Sequence, residues 1–151
     1  MSIILRAPIE GDTLTLLVLS RELLKTYTHD KKYAVISIVD PTDNPARLEK
    51  DLNRVAVLHT PFRDTDESNG EYRISSFHSE LISKFVTTMV SMNVNFIVVQ
   101  CELGISRSSG VAAALSKHFN GADSLFFKHY VPNMLVYRTI LNSLEKEKAN
   151  A

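Results

Sequence analysis

The sequence predicts an α/β fold: a single domain over residues 1–151, with a mainly parallel central sheet flanked by helices. Three observations carry this reading. YAVISIVD (33–40), RVAVLHTPF (54–62) and FIVVQ (96–100) are short, apolar, β-branched runs of strand length. Helix-like stretches fall between and after them, and strands alternating with helices build parallel sheets. No internal repeat, low-complexity tract or linker divides the 151 residues, a length that supports one sizeable core.

Taken in order, the opening MSIILRAPIEGD lacks a long apolar core and soon carries Arg6, Glu10 and Asp12, so it is not a secretory signal. Glu10 and Asp12 read as loop residues. LTLLVLSRELLKTY (14–27) has leucines at helix-like spacing, interrupted by Ser20, Arg21, Glu22 and Lys25, and predicts a helix. YAVISIVD, between Lys31-Lys32 and Asp40-Pro41, predicts a buried strand. DPTDNPARLEKDL (40–52) is turn chemistry leading into a short helix, with Asn44 as cap and Pro45 at its first position. RVAVLHTPF is a second strand, and RDTDESNGEYR (63–73) is an acid-rich loop containing Gly70. ISSFHSELISKFVTTMVSM (74–92) spaces Phe77, Leu81, Phe85 and Met89 four apart. Ile82, Val86 and Val90 widen that stripe, as in an amphipathic helix packed on a sheet. FIVVQ is a strand ending at Cys101. SSGVAAALSKHF (108–119) is a helix stopped by Asn120-Gly121. SLFFKHYVPNMLVYRTILNSLEKEK (124–148) predicts two helices with Pro132 between them.

Charge narrows the function classes. With 17 basic and 17 acidic side chains the formal net charge is zero, which leaves no electrostatic footprint for nucleic acid or an anionic membrane. Any anion site must therefore be local. No apolar stretch approaches the roughly 20 residues of a membrane span. The one cysteine cannot form an internal disulfide, which fits a reducing compartment and a cytoplasmic protein, monomer or small oligomer, and leaves a free thiol to explain. The five histidines are scattered without zinc-like spacing, so neither metal nor cofactor is expected.

VVQCELGISRSSGVAAAL (98–115) carries the chemistry. The local order is strand, loop, helix, and in α/β folds ligands bind beyond the carboxyl ends of strands. A loop running into a helix there aims peptide N–H groups at one place, and the helix dipole favours negative charge. The amides of Glu102, Leu103, Gly104, Ile105 and Ser106 would line such a nest, with Gly104 allowing a turn that a side chain would obstruct. Arg107, six residues after Cys101, can fold its planar guanidinium over the nest and fork around two phosphate oxygens. Cationic neighbours and helix N-termini also stabilise thiolates. One loop could thus hold a phosphoryl group and attack its phosphorus through Cys101. Ser108 can donate its hydroxyl to the sulfur and ease its departure. A buried cysteine filling a core gap is the plain alternative, but it would not require the glycine, arginine and serines that follow.

This stretch resembles the H-C-x5-R-[ST] signature of the cysteine-dependent protein tyrosine phosphatases, and the small size resembles their compact dual-specificity branch. The resemblance implies a phosphatase-type phosphate-binding loop and metal-independent hydrolysis of phosphate monoesters through a cysteinyl-phosphate intermediate. It also implies a general-acid aspartate on an upstream loop. FRDTDESNG (62–70) lies in that interval; Asp64 matches the position best and Asp66 is the runner-up, with Glu67 and Glu71 as surface charges. KHYVPNMLVYRTIL (128–141) resembles the branch's pattern of a Pro-Asn pair opening the last helix, which implies that Asn133 braces the phosphate loop; the plain alternative is a helix cap, and the two roles are compatible. His59, His78, His118 and His129 are read as structural or surface residues.

Two positions depart from the pattern. Gln100 stands where the family has histidine; its amide can support the loop but carries no ionisable charge, so a less strongly activated thiol is expected. Glu102 beside the cysteine repels additional phosphates, which disfavours inositol lipids and RNA 5′-triphosphates. The expected partner is a phosphorylated protein or small phosphomonoester: phosphotyrosine, with phosphoserine and phosphothreonine admitted if the cleft is shallow. The alternative function is a catalytically weak, pseudophosphatase-like module that binds phosphorylated partners. Arsenate reductases and low-molecular-weight phosphatases share the C-x5-R spacing but place cysteine early and acid late, and rhodanese-type loops differ in length. With no second cysteine, oxidised Cys101 would depend on a backbone sulfenamide or an external thiol.

Overall fold

A computed structural model describes residues 7–149. In chain order the elements are β1 (Ile9–Glu10), β2 (Thr15–Ser20), α1 (Arg21–Lys25), β3 (Tyr33–Val39), β4 (Arg54–Pro61) and α2 (Ser76–Ser91). They continue with β5 (Phe96–Cys101), α3 (Arg107–Asn120), α4 (Ser124–His129) and α5 (Met134–Ala149). The sheet order is β1-β2-β5-β3-β4; β1 is antiparallel to β2 and the other strands run parallel. The expected α/β architecture with a mainly parallel sheet is therefore what forms. Parallel strands put the carboxyl ends of β2, β5, β3 and β4 along one edge, where loops can build a site.

Both faces of the sheet are covered, which explains the near-continuous apolar runs. Leu16, Val18, Ile36, Ile38, Ile97 and Val99 face the larger core, shared with α2, α3 and α5. Leu17, Leu19, Tyr33, Val35 and Val98 face the opposite way, against Leu24 of α1 and the rings of Tyr27 and Phe96.

This two-sided burial corrects the first predicted helix. Residues 15–20 form β2, and only Arg21–Lys25 are helical, capped by the Ser20 hydroxyl accepting from Leu23 N at 3.2 Å. An unbroken apolar run serves a strand buried on both faces as well as a helix, and periodicity alone does not separate them. The short helix expected after Asp40 is also absent: among the described residues, 41–53 hold turns and irregular chain. Asp43 N closes a turn on Asp40 O at 2.9 Å, and Glu49 N reaches Lys25 O at 3.1 Å. Ala46 is buried while Leu52 is exposed, so the segment has no apolar stripe for a helix to bury.

Helix α2 forms, but its expected stripe is rotated. Phe77 is 67% exposed and Leu81 is also exposed, whereas Ser79, Ile82, Ser83, Val86 and Met89 are buried. Small serines let α2 approach α5, where the Ser79 and Ser143 hydroxyls meet at 2.5 Å. His78 closes the first turn by accepting from Ser75 N at 3.0 Å, and burial lowers its pKa. Helix α3 ends at Gly121 (φ 79°), as its Asn-Gly pair predicts. Helices α4 and α5 flank Pro132, also as expected. Gly110 sits where α5 crosses α3: a Cβ there would lie 2.8 Å from Asn133 O.

Candidate active site

Strand β5 pairs with β2 on one side and β3 on the other, and it delivers Cys101 to the carboxyl edge opposite Ser20. The chain then turns through Glu102–Ser106 into α3. Gly104 makes this turn possible twice over. Its φ is 68°, and a Cβ would lie 2.6 Å from Ser20 N and 2.7 Å from the Leu19 carbonyl carbon.

The carbonyls of Glu102, Ile105 and Ser106 are bonded to the surrounding protein. Glu102 O accepts from Arg21 N at 3.1 Å; Ser106 O accepts from Asn133 N at 3.0 Å and Gly110 N at 3.0 Å. The Ser109 hydroxyl donates to the carbonyls of Ile105 and Ser106. Among the hydrogen bonds of the described residues, none is donated by the peptide N–H groups of Glu102 to Ser106. A run of unused amides beside carbonyls that are bonded elsewhere is the geometry of an anion nest.

Cys101 is 3% exposed and closes the end of the larger core, so part of its surroundings is apolar. Its Sγ nevertheless has a polar neighbour, the Ser108 hydroxyl at 3.1 Å, on the buried first turn of α3. Arg107 folds inward rather than into solvent and is 5% exposed. Its Nη1 donates to Asp40 Oδ1 at 2.7 Å and to the Phe62 carbonyl at 2.9 Å. Among the described residues its buried Nε has no partner. A buried donor left unsatisfied costs about 1–3 kcal/mol, and more when charged, a cost that a bound anion relieves.

Asp64, on the loop after β4, reaches the Ser106 end of the loop. Its Oδ1 accepts from the Ser106 hydroxyl at 3.0 Å and from Asn133 Nδ2 at 2.9 Å. Asp66 lines the same cleft with Glu67, Val131 and Met134, but Asp64 is the one bonded to the loop. Asn133 gathers the elements: its N–H holds Ser106 O, its Nδ2 also holds Thr65 O at 3.0 Å, and its Oδ1 caps α5 at Val136 N, 3.0 Å.

The remaining residues fall at the margins. Gln100 is buried, accepting from Ser37 Oγ at 2.5 Å and donating to Ile38 O at 3.4 Å; these bonds tie β5 to β3 rather than to the loop. The Glu102 carboxylate turns to Arg21 Nη1 at 3.8 Å, and the Leu103 side chain points into solvent. Sequence reasoning missed Asp40, the Phe62 carbonyl and Arg21. In the sequence Asp40 marks only the end of a strand; its meaning depends on β3 lying beside β5, which spacing along the chain does not encode.

No protein-family model matches the chain, and the comparison with curated proteins finds no match. Solved structures do match. Human DUSP28 matches at 17% identity over 90% of this chain and 95% of that one, with a TM-score of 0.57. A mouse protein described as a dual-specificity phosphatase complexed with zinc tungstate matches at 15% identity, 95% and 89% coverage and a TM-score of 0.58. The human tyrosine phosphatase-like serine/threonine/tyrosine-interacting protein matches at 16% identity, 79% and 78% coverage and a TM-score of 0.51. The chain has the fold of the compact dual-specificity branch of the protein tyrosine phosphatases. Among the described residues no helix is long and apolar enough to cross a membrane.

Proposed function

We propose that this protein hydrolyses phosphate monoesters, phosphotyrosine above all and also phosphoserine or phosphothreonine on proteins, through a cysteinyl-phosphate intermediate. The observation that carries the reading is the inward-folded Arg107, at the end of a loop whose amides are unused, with a buried Nε that has no partner among the described residues. The shared fold supports the same class.

In this mechanism the amides of Glu102 to Ser106 and the guanidinium hold the equatorial oxygens, and Cys101 Sγ attacks phosphorus in line. As the P–O bond breaks, Asp64 gives its proton to the leaving oxygen. Water then attacks the phosphocysteine, Asp64 takes its proton, and the sulfur leaves as thiolate with the Ser108 hydroxyl donating to it. These side chains supply nucleophile, acid and charge without calling on a metal.

The test is hydrolysis of p-nitrophenyl phosphate by the purified protein. Turnover inhibited by vanadate and abolished in Cys101→Ser is expected. Phosphate binding without turnover would instead assign a recognition module for phosphorylated partners.

A further inference from the structure

Resting on the reading of the Cys101–Arg107 loop as a phosphate site, we propose that Asp40 is a positioning residue for Arg107. Its carboxylate, with the Phe62 carbonyl, fixes one corner of the guanidinium so that the opposite edge is presented to a phosphoryl group. Two acceptors from different segments, Asp40 Oδ1 at 2.7 Å and Phe62 O at 2.9 Å, converge on Nη1. Nη1 lies on the Cδ side of the guanidinium, so the edge that remains is Nε with Nη2, the pair that forks around two oxygens. Nε on that edge is a buried donor with no acceptor among the described residues.

An unheld arginine samples many rotamers, and a ligand must first select one; an arginine already oriented spares that cost. Asp40 is itself held, since its carbonyl closes the turn with Asp43 N at 2.9 Å and Pro41 follows it. Its side chain is 39% exposed, so the outer face of the carboxylate stays hydrated and the pair avoids the full desolvation of a buried one.

A negative charge beside a phosphate site should weaken anion binding by simple Coulomb repulsion. The proposal therefore makes a definite claim about sign: orientation outweighs charge. Asp40→Ala should bind inorganic phosphate about 10- to 100-fold more weakly in calorimetric titration, the range for losing a hydrogen bond to a charged group. Asp40→Asn keeps an acceptor at the same place without the charge and should stay within about threefold of the parent. Arg107→Lys should lose affinity, and adding Asp40→Ala to it should cost nothing further. Phosphate bound by Asp40→Ala as tightly as by the parent, or more tightly, overturns the assignment, as does an additive loss in the double variant. Should Asp40→Ala fail to fold, Asp40→Ser, which suits a turn but is too short to reach Nη1, is read against the same outcomes.

Turnover of p-nitrophenyl phosphate, followed in parallel, separates this claim from the hydrolysis reading. A parent protein that binds phosphate without turnover removes the hydrolysis and leaves Asp40 to the binding comparison. A parent that binds no phosphate overturns both.

Discussion

At the scale of single residues, two neighbouring aspartates separate by what they touch. Asp64 is anchored by Ser106 and Asn133, whereas Asp66 lines the cleft without that anchorage. Asp64→Asn is expected to lower kcat by about 10²- to 10⁴-fold on a poor leaving group such as phenyl phosphate. The loss should be smaller on p-nitrophenyl phosphate, whose leaving group needs little protonation, and Asp66→Asn should stay near the parent on both. Equal losses in the two variants would break the assignment. The cysteine, glycine, arginine and serine of the loop were legible because their chemistry is local: strand, turn and helix N-terminus follow within ten residues. Asp40 was not legible, because it sits 67 positions from the guanidinium it bonds and only the strand order brings the two together.

Elements repeat that division. Strands β3, β4 and β5 and the helix-stopping Asn120-Gly121 could be read because composition and turn signals agree there. Strand β2 could not, since leucine favours helices and only the flanking layers make an all-apolar run into a strand. The rotation of α2 likewise comes from a partner: the serines that look polar in isolation face α5. The contact between α3 and α5 also sets the loop. Gly110→Ala would press a methyl group within 2.8 Å of Asn133 O and 3.2 Å of the Val136 side chain. Overpacking of this kind costs about 1–3 kcal/mol, to be read from the urea midpoint of unfolding. Because Asn133 holds both Ser106 and Asp64, activity per folded molecule should fall as well; an unchanged kcat/KM in the folded variant would separate helix spacing from the site.

Across the whole molecule, the second core brings a pH limit of its own. The Tyr33 hydroxyl donates to Asp51 Oδ2 at 2.7 Å, and burial, followed by that bond, pushes its pKa up to about 12. Burial also carries Tyr130 and Tyr137 to about 12. A group whose folded pKa is raised contributes its full stability below the unfolded value near 10 and loses it as pH climbs towards the folded value. Thermal melts should therefore show Tm declining between about pH 10 and 12, with a shallower slope in Tyr33→Phe, although that variant also loses the Asp51 bond and starts lower. Far from this alkaline limit, one nitrogen sets a mechanical one. Phe62 directly follows β4, the outermost strand on its side, and its carbonyl grips the same Nη1 that Asp40 grips from the end of β3. Peeling β4 from the sheet margin would strip away one of those two anchors. Fraying of that border is therefore expected to loosen the Arg107 guanidinium before the centre of the sheet melts.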